Sequence, residues 1–164
     1  MAHPAYDGSM SGKPVRPGRV AGARLLRFAQ TGHKFGNQGD RAMAIVGSCH
    51  CRATQFEVTD APETVTRCTC SFCSKRGSLW AYYTPGQFRL TSPESEVSTY
   101  RWGSRTIKHH FCAICGCGTF TQTPDWSSGE PDFDHSKISI NARLLDDFDL
   151  DAVPIRVIDG KNLW

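Results

Sequence analysis

From residue 44 onward, apolar and polar positions come in short bursts, many of them alternating with a period of two. The bursts are AIVGSC (44–49), ATQFEV (53–58), TVTRCT (64–69), LWAYYT (79–84), QFRL (87–90), EVSTYRW (96–102), TIKHHF (106–111), GTFTQ (118–122), KISINA (137–142) and PIRVI (154–158). They are rich in β-branched and aromatic residues, and Gly, Pro, Ser or Asp separates them, as expected of strands bounded by turns. A helical period never runs past a turn or two; NARLLDDFDL (141–150) has room for one turn of helix. Ten short strands in the last 122 residues predict an all-β domain of small sheets. Short strands enclose a limited core, so crosslinks between them would contribute to folding.

Residues 1–42 break this pattern. The stretch MAHPAYDGSMSGKPVRPGRV (1–20) is rich in Gly, Pro and Ser, has no apolar period, and is expected to be disordered. AGARLLRFAQ (21–30) could form a short amphipathic helix, of marginal stability alone. Seven Lys/Arg against two Asp give this head a charge of +5, whereas twelve Lys/Arg against fourteen Asp/Glu leave residues 43–164 at −2. The basic isoelectric point therefore belongs to the head, and nucleic acid is not the expected partner of the domain. An Arg-rich, acid-poor head also fits an organelle transit peptide. Met43, placed directly before the first strand, offers another reading, in which it is the natural start and the head an extension. The expected division is a basic head at 1–42 and a folded domain at 43–164.

Composition narrows the class. Apolar residues make up 39% and charged residues 21% of 164, the balance of a globular chain. No uncharged apolar run approaches the roughly 18 residues a membrane span needs, so no membrane partner is expected. No secretory signal pattern is present either. A reducing, cytoplasmic setting is then the expectation, and structural disulfides are not. That leaves eight cysteines to explain: Cys49, Cys51, Cys68, Cys70, Cys73, Cys112, Cys115 and Cys117. They fall into three tight groups far apart in sequence, which is the spacing of metal knuckles rather than of scattered core thiols.

The spacings assign the groups. On a strand, residues two apart face the same way, so CHC (49–51) is expected to present the sulfurs of Cys49 and Cys51 together, with His50 on the other face. CAIC (112–115), closed by Gly116, has the form of a zinc-ribbon knuckle in which backbone amides point at the sulfurs. Cys49, Cys51, Cys112 and Cys115 together make a closed tetrahedral set, suited to a structural zinc. CTCSFC (68–73) combines both spacings and brings Cys68, Cys70 and Cys73 to one point. Three ligands leave a fourth position for substrate or water, which is how catalytic zinc is built. Two zinc ions fit four plus three thiolates without strain; an iron–sulfur cluster would use the same ligand type. Cys117 either completes the second site from across the fold or stands beside the first as a free thiol, and the second reading is favoured because four ligands are already in place.

These residues carry a resemblance. GSCHCRATQFEV, CTCSFCSKRG, HHFCAICGCGTF and ISINARLLDDFDLDAVPIRVIDGKNLW, spanning about residues 44–164, resemble the glutathione-dependent formaldehyde-activating enzyme family, which includes centromere protein V. The resemblance implies a Mss4-like tent of small antiparallel sheets crosslinked by zinc knuckles. It also implies the same ligand division: Cys49, Cys51, Cys112 and Cys115 for structural zinc, Cys68, Cys70 and Cys73 for catalytic zinc. The family often has Gly after the first C-x-C, where this chain has Arg52, and it gives Cys117 no role.

The implied reaction is that of S-(hydroxymethyl)glutathione synthase, a carbon–sulfur lyase joining glutathione and formaldehyde or parting them again. A thiol with a pKa of about 8.5 is little ionised at neutral pH, and zinc coordination overcomes this. Three thiolate donors weaken zinc as a Lewis acid, which favours its binding the substrate sulfur over its polarising the aldehyde. Arg67, Lys75 and Arg76 flank the second motif and either offset its negative charge, grip the carboxylates of glutathione, or are simply solvated. Of His109 and His110, which alternate on a strand, one is expected to face inward as a core histidine. Trp80, Tyr82 and Tyr83 are expected to pack within the sheet. The alternative function is a non-catalytic, zinc-stapled binding module with a basic tail, in which a protein ligand closes the second site.

Overall fold

The computed structural model describes residues 44–163. The head at 1–42 and Met43 lie outside the described residues. Ten strands occur where the alternating bursts place them: β1 (Ile45–Ser48), β2 (Gln55–Val58), β3 (Val65–Cys68), β4 (Trp80–Tyr83), β5 (Phe88–Leu90), β6 (Val97–Tyr100), β7 (Lys108–Cys112), β8 (Gly118–Asp125), β9 (Asp132–Asn141) and β10 (Ile155–Ile158). Two short helices, α1 (Ser71–Arg76) and α2 (Gly160–Leu163), complete the regular structure with a few single 3-10 turns. One of those turns, Ala142–Leu144, is the helical turn expected in NARLLDDFDL, capped by the Asn141 side chain accepting from the Arg143 N–H.

The all-β reading holds. The strands form a three-stranded sheet, β1-β2-β5, and a seven-stranded sheet, β10-β3-β4-β9-β8-β7-β6. Pairing is antiparallel except at one edge, where β10 runs parallel to β3 with Ile158 opposite Cys68. A parallel partner needs a long crossover, and the 86 residues between β3 and β10 supply one. The second sheet is larger than the short bursts suggest because β8 and β9 run on past the core. The outer part of β9, from Phe133 to Ser136, is exposed and polar apart from Phe133, so no apolar alternation marks it in the sequence.

The core lies between the sheets. Phe56 and Val58 of β2 meet Val65, Ala81, Tyr83, Phe120, Ile138 and Ile140 of the larger sheet, and Leu79, Ala142 and Leu145 close the margin. Each large apolar side chain among them contributes roughly 1.5–3 kcal/mol by leaving water. Strand β4 serves two faces through its period of two. Ala81 and Tyr83 enter this core, where the Tyr83 hydroxyl donates to the Asp60 carbonyl at 2.9 Å. Trp80 points the other way, into a second cluster made by Cys68, Cys70 and Cys73.

Gly47 shows how tightly β1 packs on its neighbour β2 and on the Ala142–Leu144 turn. A Cβ there would stand 2.4 Å from the tip of the fully buried Phe56 ring and 3.0 Å from the Leu144 carbonyl oxygen. Gly47→Ala should therefore destabilise the domain by about 1–3 kcal/mol through overpacking, read as a lower urea midpoint with unchanged slope.

Candidate metal centres

The first sulfur set joins the two sheets. Strand β1 ends at Ser48, so Cys49 and Cys51 do not lie on it as the sequence suggests. They sit in the turn that follows, where the Arg52 N–H donates to the Cys49 carbonyl at 2.9 Å. The turn, not strand alternation, brings their sulfurs to 3.6 Å. Its closing residue, Arg52, has φ of 62°, in the left-handed region. That conformation costs a side chain about 1 kcal/mol relative to Gly. Cys112 ends β7, and the next turn is closed by the Gly116 N–H donating to the Cys112 carbonyl at 3.0 Å, with Gly116 at φ 76°. Cys51 and Cys112 sulfurs are again 3.6 Å apart, and all four ligand atoms of Cys49, Cys51, Cys112 and Cys115 lie within 4.8 Å of one another.

These distances fit a metal and not a disulfide. Sulfurs bonded to each other are about 2.05 Å apart. Sulfurs at the corners of a zinc tetrahedron with bonds of about 2.3 Å are about 3.8 Å apart. Backbone amides also converge on the sulfurs as the knuckle reading expects. Thr54 N–H donates to Cys49 Sγ at 3.3 Å, and the N–H groups of Ile114 and Cys115 donate to Cys112 Sγ at 3.4 and 3.5 Å. Desolvation opposes ionisation of Cys115, yet the Cys117 and Cys51 amides and the neighbouring thiols bring its pKa down to about 5. Cys51 takes the Ala53 amide, which lowers it, but desolvation and the sulfurs of Cys115, Cys49 and Cys112 push it up to about 12. The four thus share protons unevenly, and only a cation among them lets all ionise.

The second set is built on one short segment. Cys68 ends β3, Cys70 caps α1, and Cys73 lies within that helix. Their three ligand atoms lie within 4.8 Å of one another, and all three residues are buried. Cys70 N–H donates to Cys68 Sγ and Cys73 N–H to Cys70 Sγ, each at 3.5 Å. Gly77, at φ 64°, ends the helix by donating its N–H to the Cys73 carbonyl at 2.9 Å. Among the described residues no fourth His, Cys, Asp or Glu ligand atom joins this set. Each of the two sets can hold a zinc ion.

Several side chains fall differently from expectation. Trp80 is more than sheet packing: its indole N–H donates to Cys73 Sγ at 3.3 Å. Tyr82 is half-exposed on the same face, and burial, with the charges of Cys68 and Cys73 adding, raises its pKa. Cys117 belongs to neither sulfur set; its neighbours are Cys115, Cys49 and the His50 amide, so it stands beside the first set. Both His109 and His110 are buried, not one of them. The ladder slips between His109 and Phe111, which breaks the simple alternation. His110 is satisfied by Thr99 Oγ1 at 2.9 Å and Gln122 Oε1 at 3.4 Å, whereas His109 packs on Phe72 with ring centres 4.1 Å apart and its Nδ1 finds no partner.

A groove of about 370 Å³ runs along α1 beside the second set, lined by Ser71, Phe72, Lys75, Arg76, Tyr100 and Trp102. Phe72 and Trp102 also pack against the cluster of Cys68, Cys70, Cys73 and Trp80. Arg67 lies on β3, opposite Val157, and does not line the groove. Among the described residues no helix is long and apolar enough to cross a membrane.

Comparison with known proteins agrees with this geometry. The family model described as glutathione-dependent formaldehyde-activating enzyme matches residues 44–153 and so includes all seven cysteines of the two sets. The crystal structure of a Rhodobacter sphaeroides protein superposes with a TM-score of 0.54 at 29% sequence identity, covering 67% of this chain and 98% of that one.

Two outcomes follow from the site. Trp80→Phe keeps a ring but removes the donor to Cys73, so metal at the three-sulfur set should be lost on the order of 10-fold more readily in chelator competition, with the four-sulfur set unaffected. Burial, with Arg76 and His110 adding, holds His109 down to about 4, and burial with Lys108 and Arg101 does the same for His110. Unfolded, both titrate near 6.5, so between about 4 and 6.5 the unfolded chain binds more protons. Their stability contribution is complete above pH 6.5 and is lost as pH falls through that window. Urea midpoints of His110→Gln, compared with the parent at each pH, should fall less steeply on acidification.

Proposed function

The chain belongs to the glutathione-dependent formaldehyde-activating enzyme family, and from that premise we propose that it is a carbon–sulfur lyase of the S-(hydroxymethyl)glutathione synthase type. In this reading it joins a thiol, glutathione, to an aldehyde, formaldehyde, or parts the adduct. The observation that carries the reading is the unequal count of sulfurs, four in one set and three in the other. Cys49, Cys51, Cys112 and Cys115 fill every corner of a tetrahedral ion. Cys68, Cys70 and Cys73 leave one corner for an exogenous ligand.

When bound by those three thiolates, zinc supplies the positive charge that keeps a substrate thiol ionised near neutral pH. The chain does the rest. Burial of Cys68, Cys70 and Cys73 keeps bulk water from the sulfurs. Two backbone amides and the Trp80 indole fix the orientation of their lone pairs. In the reaction the substrate sulfur gives its electron pair to the aldehyde carbon, the carbonyl pair moves onto oxygen, and oxygen takes up one proton. Cleavage is the reverse and releases that proton. Holding the two partners together supplies much of the acceleration for such a simple addition.

The binding-module alternative needs a protein group to close the second set. Cys117, its obvious candidate, stands beside the first set instead.

Purified full-length chain should carry two zinc ions. Cys70→Ser should retain one and lose on the order of 100-fold in rate with glutathione and formaldehyde. A Cys70→Ser protein with one zinc and undiminished turnover would sink the proposal.

A further inference from the structure

Strand β10 leaves one side of its backbone unpaired. It forms an edge of the seven-stranded sheet, and among the described residues no strand lies on its outer side. The carbonyls of Pro154 and Ile158 face β3, accepting from the N–H groups of Val65 and Thr69 at 3.1 and 3.0 Å. Alternate residues of a strand bond to the same neighbour, so Arg156 faces β3 too. The N–H and C=O groups of Ile155 and Val157 therefore point outward. Their side chains are apolar, and both are half-exposed. Edge strands are usually blunted by a bulge, a proline or charge. Pro154 does not blunt this one, because its side of the backbone faces β3. Arg156 is the one charge on the strand; the rest stand at its two ends. Asp149 and Asp151 precede it and Lys161 follows it, none of them in an ion pair among the described residues. Asp159, which also follows it, is taken up by Thr69 and Asn162. An edge with an apolar centre, acid at one end and a base at the other is complementary to itself reversed.

We infer that this edge is the contact surface for a second copy of the chain, the two β10 strands pairing antiparallel about a two-fold axis at Val157. Three registers set Ile155 and Val157 against their counterparts. An axis at Arg156 puts the two Arg156 side chains directly opposite, and an axis at Ile155 brings Asp151 against Asp159. Like charges so placed repel. An axis at Val157 avoids both. There the two Val157 residues exchange N–H···O=C bonds, and Lys161 of each copy comes to the Asp151 end of the other. The two seven-stranded sheets become one continuous sheet, and neither exposed edge remains. The inference is independent of the reaction proposed above.

The test is sedimentation equilibrium of the full-length chain between about 1 and 100 µM, a range suited to a small interface. The mass should rise with concentration from 18.2 kDa to twice that value and stop there. Val157→Lys sets two cations against each other at the axis and should weaken association on the order of 10-fold, with an unchanged far-UV spectrum. Lys161→Glu should weaken it severalfold, and Lys161→Glu/Asp151→Lys should restore it; this pair of variants serves if Val157→Lys does not fold. A parent chain that stays at 18.2 kDa, as it would if another segment of the same chain covered the edge, overturns the inference. So does growth beyond the dimer, undiminished association of Val157→Lys, or a Lys161→Glu/Asp151→Lys chain that associates no better than Lys161→Glu.

Discussion

Sulfur anions repel, and this chain brings four cysteine sulfurs within 4.8 Å of each other at the junction of its two sheets. Cys49 and Cys51 follow the first strand of the small sheet; Cys112 and Cys115 close a strand of the large one. Without a cation the thiols can only share protons unevenly, with Cys115 drawn down to about 5 and Cys51 driven up to about 12. With one, the repulsion becomes a four-way attachment between the sheets. Short strands and a core of eleven buried residues leave little else at that end to hold them together.

Once the sheets are fixed, the three-sulfur set inherits a rigid floor. Strand β4 supplies it, packing Ala81 and Tyr83 into the core while presenting Trp80 to Cys73 on the opposite face. A loop could not hold an indole donor at 3.3 Å from a sulfur with the same constancy. The two sets thus differ in origin as well as in count. The first gathers its sulfurs from segments far apart in the chain, beside both sheets. The second takes all its ligands from six consecutive residues and borrows its support from the sheet.

Much of this could be seen in the chain before its structure. The ten strands showed as short runs, many of them alternating or β-branched, because most bury one face; β10, exposed at Ile155 and Val157, showed by its β-branched residues alone. The ligand sets showed in C-x-C and C-x-x-C spacing, because two or three residues of separation suffice to bring thiols together. What did not show was what local pattern does not encode. Helix α1 is six residues long and capped by a cysteine, too short for a period and without a usual cap. The first C-x-C was expected on a strand, and only the left-handed Arg52 reveals the turn. The ladder slip beside His110 buries two histidines where alternation predicts one. The Trp80–Cys73 contact depends on α1 folding back onto β4, a relation that no spacing within either segment announces.

The parallel edge strand has a consequence for how the molecule is made. Strand β10 lies beside β3, and the segment after it grips the loop between Cys68 and Cys70: Thr69 N–H donates to the Ile158 carbonyl at 3.0 Å, and its hydroxyl donates to Asp159 at 3.1 Å and accepts from the Lys161 N–H at 3.2 Å. These braces come from residues that leave the ribosome after β1–β9. During synthesis, then, the four sulfurs between the sheets can assemble while the three-sulfur set still sits on an unbraced loop. A chain cut before β10 would keep the cysteines of both sets and lose the braces on the loop that carries the second.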